Sequence, residues 1–158
     1  MSIFSNPNPQ EVYVLTTEGL IPIVNSWVKN TDDLGQKYRF REFLKDDYTV
    51  GFLVGFVGHI LDKHNITDNE LVLCILASSI REAFSHVISP DDLYELLNDK
   101  LESYIKKLIN NPNEDRPSSN GKLVADLYLR SVDNGKKYQP GSLSEFGGDL
   151  PNEYFENN

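Results

Sequence analysis

One cysteine in 158 residues, Cys74, is too few for an intramolecular disulfide or a cysteine-based metal cage. That scarcity fits a reducing compartment. The opening stretch "MSIFSNPNPQEV" lacks the basic-then-apolar pattern of a secretion signal, so the expected location is the cytoplasm. Positive charge is scarce too: Lys and Arg number 15 against 24 Asp and Glu, giving a net charge of -9 and a pI near 4.7. Proteins bind duplexes largely by displacing condensed counterions with Lys and Arg, so no duplex nucleic acid is expected. A protein with a basic surface is the natural partner for such a chain.

Long apolar runs are missing. The longest, Thr49 to Leu61, has thirteen residues, whereas a helix needs about twenty to cross a bilayer, so no membrane partner is expected. Catalytic signatures are missing as well. No G-x-S-x-G, P-loop or G-x-G-x-x-G occurs, and "GGDLP" has no strand before it or helix after it. Carboxylate pairs such as Asp32 with Asp33 and Asp46 with Asp47 read as helix caps or solvated surface in an acidic chain. Cys74 sits in an apolar run, where a thiol loses reactivity. No catalytic residue is assigned, and the chain is read as non-enzymatic.

Histidine is limited to His59, His64 and His86. His59 with Asp62 and Glu82 with His86 stand at helical spacings, but an antiparallel pairing of their helices sets the two pairs roughly 20 Å apart at 1.5 Å of rise per residue. Phe43, His59 and His86 could in principle serve a haem, yet "DKHNITDN" breaks the chain just after the first histidine. No metal or cofactor is therefore assigned. A small-ligand, haem or metal site near His59 and the neighbouring glycines is kept as the alternative.

What the sequence does contain is helical periodicity. "SPDDLYELLNDKLESYIKKLINNP" places Leu93, Leu96, Leu97, Leu101, Tyr104 and Ile105 on one face, with Ser89 as cap and Pro90 at the first helical position. "TDNELVLCILASSIREAFSHV" opens with Thr67 and Glu70 at capping-box spacing and is apolar on all sides at first, which predicts a central helix. "SSNGKLVADLYLRSVDNG" carries a stripe of Leu123, Val124, Leu127, Tyr128 and Val132 and ends at Gly135. Trp27 suggests a short helix from Pro22, "QEVYVLTT" suits a short strand, and "NNPNEDRPSSNG" reads as a polar break. The expectation is an all-α fold: a compact bundle of five to seven helices around a buried helical hairpin, with an irregular acidic tail. It divides into an extended arm over 1–16, a helical domain over 17–135 and the tail over 136–158.

The hairpin would pair Thr49–Leu61 with Leu71–Ala77. Gly51, Gly55 and Gly58 share one helical face, where absent side chains let a neighbouring backbone approach. The expected neighbour is the face of Leu73, Cys74, Ala77 and Ser78; a homodimer contact is the other use of these glycines.

Two segments stand out from the rest. "KYRFREFLK" interleaves Lys37, Arg39, Arg41 and Lys45 with aromatics, a pattern suited to stacking on a single strand. The preferred reading turns the aromatics to the core and sets the basic residues against the protein's own acids, and a third lets the patch receive the acidic tail. The tail has no positive residue after Tyr138, four acids (Glu145, Asp149, Glu153, Glu156) and large apolar groups including Phe146, Leu150, Tyr154 and Phe155. Its apolar groups could anchor in a partner's pockets while the acids select a basic rim. The functional expectation is an acidic protein-binding protein, an inhibitor, adaptor, immunity factor or assembly chaperone, acting through its surface and its tail.

Overall fold

A computed structural model describes residues 8–33, 47–110, 116–133 and 135; of these, the side chains of residues 29–33, 47, 48, 107–110 and 116–120 lie outside the description. The described residues form five helical rods and no strand, which supports the all-α expectation. The rods are α1 (Pro9–Asp33), α2 (Asp47–Lys63), α3 (Asn69–Phe84), a composite rod of α4 (Pro90–Glu95), a π-helical segment (Leu96–Leu101) and α5 (Glu102–Asn110), and α6 (Arg116–Asp133). None of these helices is long and apolar enough to cross a membrane.

The chain over Pro9–Thr16, expected to be extended, is instead the start of α1. Asn8 caps it by accepting from the Gln10 N–H at 2.9 Å, and Pro9 occupies the first turn, where its missing N–H costs nothing. The strand expected at "QEVYVLTT" and the separate helix expected from Pro22 are both absorbed into this one 25-residue helix. Pro22 lies inside it, so the helix forgoes one internal hydrogen bond there.

Burial shows which helix is central. In α2, Val50, Phe52, Leu53, Phe56, Val57, Ile60 and Leu61 are each at most 1% exposed, and Gly51 and Gly55 are buried with them. The helix expected at the centre, α3, is one-sided instead: Ile75, Leu76, Ile80, Ala83 and Phe84 are buried, while Leu73 is 47% exposed and Cys74 is on the surface. Of the expected neighbours of the glycine face, Leu73 and Cys74 therefore point to solvent, while Ala77 and Ser78 are half-buried. Helix α2 packs chiefly along α6, and α1 along α3, with α2 and α3 touching little. Trp27 ties α1 to both, its ring edge-on to Phe52 at 5.6 Å and tilted against Phe84 at 6.5 Å.

Local chemistry fixes the helix ends. The N–H of Ile66 bonds the Leu61 carbonyl and that of Asn65 the Asp62 carbonyl, with Asn65 at φ 59°, so α2 ends in a Schellman turn whose left-handed position is held by asparagine. Buried Ile66 supplies the apolar contact this turn favours. Asp68 rather than Thr67 caps α3, accepting from the Leu71 N–H at 3.0 Å. Ser89 caps α4 as expected, accepting from Asp92 N–H at 3.1 Å. The π-helical segment was not foreseen. It carries buried Leu96 and Leu101, five residues apart, which an α-helix would point about 140° apart; the wider turn brings them toward one face.

Candidate functional site

Two features of α6 meet at one end of the molecule. Its buried side, Gly121, Val124, Ala125 and Tyr128, faces the core. Gly121 allows a close backbone approach: a Cβ added there would strike the Phe52 carbonyl oxygen of α2 and lie 2.7 Å from the Phe56 nitrogen. Tyr128 reaches α1, where its hydroxyl donates to the Leu15 carbonyl at 2.6 Å, and its ring lies 6.0 Å from that of Phe56. Burial pushes the pKa of the Tyr128 phenol well above its ordinary value, and the Glu18 carboxylate adds to the effect.

Away from the core, α6 presents Leu123, 61% exposed, and Leu127, 45% exposed, one helical turn apart. The sequence stripe of Leu123, Val124, Leu127, Tyr128 and Val132 thus divides, with Val124 and Tyr128 buried and Leu123, Leu127 and Val132 outside. The apolar stripe is wider than the core requires.

Beside this ridge lies a cleft of about 520 Å³ between the first turns of α1, the end of α2 and the last turns of α6. Val12 and Leu15 of α1, with Leu129 and Val132 of α6, make its apolar lining. Six ionisable groups surround them: Glu11, Lys63, His64, Asp126, Arg130 and Asp133. Asp126 pairs with Arg130, Oδ2 lying 2.7 Å from Nη2, while its Oδ1 stands 3.7 Å from His59 Nε2. That His59 nitrogen is buried and has no hydrogen-bond partner among the described residues. His64 donates from Nδ1 to the Ile60 carbonyl at 2.8 Å, so in its neutral form Nε2 is the acceptor. Glu11, Lys63 and Asp133 have no ion-pair partner among the described residues.

The expected site residues fare differently. Lys37, Arg39 and Arg41 lie outside the described residues, as do Glu145, Phe146, Asp149, Leu150, Glu153, Tyr154 and Phe155 of the tail. Gly51 and Gly55 are buried, whereas a Cβ on Gly58 would meet nothing within 4 Å, so Gly58 is no packing glycine. His59 turns to Asp126 of α6 rather than to Asp62, which is exposed. His86 and Glu82 are exposed, and among the described residues no three His, Cys, Asp or Glu side chains converge as a metal group. The cleft itself escaped sequence reading. Its only local signal was the Asp126–Arg130 spacing of four; bringing Glu11, His64 and Asp133 together depends on helix packing.

No family model, curated protein or solved structure matches this chain.

Proposed function

We propose that this is a non-enzymatic, cytoplasmic protein that binds another protein through a basic surface of that partner, in the manner of an inhibitor, adaptor, immunity factor or assembly chaperone. The observation that carries the reading is the Leu123–Leu127 ridge, exposed on a helix whose opposite side is already committed to the core. Covering both leucines would gain on the order of 2 kcal/mol, enough to favour a partner's apolar pocket at that point. The net charge of -9 then favours a basic rim around the pocket. On this reading the tail, with Phe146, Leu150, Tyr154 and Phe155 among its acids, supplies further contacts.

The test is affinity capture from the native cell with three baits: the full chain, the Leu123→Asp/Leu127→Asp variant, and the chain ended after Gly135. The expected result is a protein captured by the full chain and lost with the ridge variant at unchanged melting temperature. Equal capture by both would overturn the role of the ridge, and capture lost only with the truncated chain would move the contact to the tail.

A second reading, a small-ligand protein, is favoured by the cleft beside His59. Mass spectrometry of the purified protein under native conditions distinguishes it, since a retained small molecule adds its own mass.

A further inference from the structure

We infer that the cleft between α1, α2 and α6 receives a lysine or arginine side chain of the partner protein. The inference rests on the protein-binding reading and gives it a chemical address. Of the six ionisable groups around the cleft, Asp126 and Arg130 neutralise each other at 2.7 Å. The remainder is two carboxylates, Glu11 and Asp133, against one ammonium, Lys63, and the imidazole of His64. Two helices also end here, α2 at Lys63 and α6 at Asp133, and the negative end of each dipole is met by a basic residue of its own last turn, Lys63 and Arg130. The positive end of α1, which also opens on the cleft, is already met by Glu11 in its first turn.

With Glu11, Lys63 and Arg130 each set against a helix end and Arg130 also paired with Asp126, the excess is one carboxylate, Asp133. That excess favours a cation, and the lining decides which kind. Val12 and Leu15 with Leu129 and Val132 form an apolar wall, and Val132 is 43% exposed. A small hydrated ion gains nothing from such a wall. A basic side chain does, because its methylene stem packs on apolar surface while the charged head stays among carboxylates. A volume of about 520 Å³ has room for one such side chain and an apolar neighbour.

The experiment titrates the full chain with the peptide acetyl-Leu-Arg-Leu-amide and with its citrulline counterpart, following the methyl resonances of Leu15, Leu129 and Val132. The arginine peptide is expected to give saturable shifts, with affinity at least ten-fold above the citrulline peptide. Glu11→Gln/Asp133→Asn should lose about ten-fold in affinity at unchanged melting temperature, since both side chains lie on the surface. Equal shifts from the two peptides, no saturable shift from either, or undiminished affinity in the double variant would overturn the inference. If the native partner is captured as well by this double variant as by the parent, the cleft assignment fails while the protein-binding reading stands. If the full chain captures no partner, it is the protein-binding reading that fails.

Discussion

Tyr128 closes on Gly19. A Cβ at Gly19 would stand 2.6 Å from Tyr128 Cε2, and four residues earlier in the same helix the Leu15 carbonyl accepts the Tyr128 hydroxyl at 2.6 Å. One side chain of α6 thus uses both the smallness of α1 and its backbone. The hydroxyl competes for a carbonyl already inside the helical ladder, so the contact fixes where α6 sits along α1 as well as how near it comes.

Tyr128→Phe should cost about 1 to 2 kcal/mol, the usual loss for a hydrogen bond to a part-buried carbonyl. The raised pKa adds a pH signature. Above the ordinary tyrosine value near 10, the unfolded chain releases this proton while the folded chain keeps it. The unfolded state then binds fewer protons, and stability falls as pH rises. Urea titrations above pH 10 should show this decline in the parent and a shallower one in Tyr128→Phe. Equal slopes would mean the phenol is not held in its neutral form.

Gly121→Ala should be strongly damaging. Its Cβ meets the backbone of α2 at Phe52 and Phe56, and neither can swing aside as a side chain would. Helices α2 and α6 must separate along their whole contact, at a cost of about 2 to 4 kcal/mol. Gly58→Ala is the control: its Cβ enters open space, and the gain in helix propensity should stabilise by about 0.5 to 1 kcal/mol. Denaturant midpoints moving in opposite directions would confirm the pair.

Sequence reading found what is local and missed what is mutual. Ser89 and Pro90 announce α4 because cap and helix start are neighbours in the chain. Asn8 and Pro9 carry the same signal, yet prolines also break helices, and Pro22 further on obscured the continuity of α1. The three glycines of α2 suggested close approach, but no periodicity says which helix comes near. Gly121 sits in "SSNGK", which resembles a turn, although α6 has already begun at Arg116. The cleft was least legible of all, since residues 11, 64 and 133 meet only after α1, α2 and α6 have packed.

Cys74 should react as an exposed thiol. It lies on the outer face of α3 beside Leu73, although the apolar run around it suggests burial. One equivalent of Ellman's reagent is expected to be consumed without denaturant, at a rate little changed by urea. Reaction only on unfolding would place Cys74 inside and would require α3 to be rotated about its axis.

The start of α3 offers a test that separates sequence logic from structure. Thr67 and Glu70 stand at capping-box spacing, yet Asp68 is the residue whose carboxylate accepts from Leu71 N–H, and it has the extended backbone of a cap, with φ -66° and ψ 122°. Asp68→Ala therefore loses both a hydrogen bond and a negative charge at the positive end of the helix, about 1 kcal/mol together. Thr67→Ala, one residue outside the cap and exposed, should cost no more than a few tenths. Because the Schellman turn ends α2 at Asn65 and the cap opens α3 at Asp68, only Ile66 and Thr67 lie between them, and Ile66 is anchored in the core. A shift of the cap by one residue would have to pull Ile66 out of that anchor. Comparable losses from Thr67→Ala and Asp68→Ala in urea titrations would mean that the shift does occur and the connection has two registers.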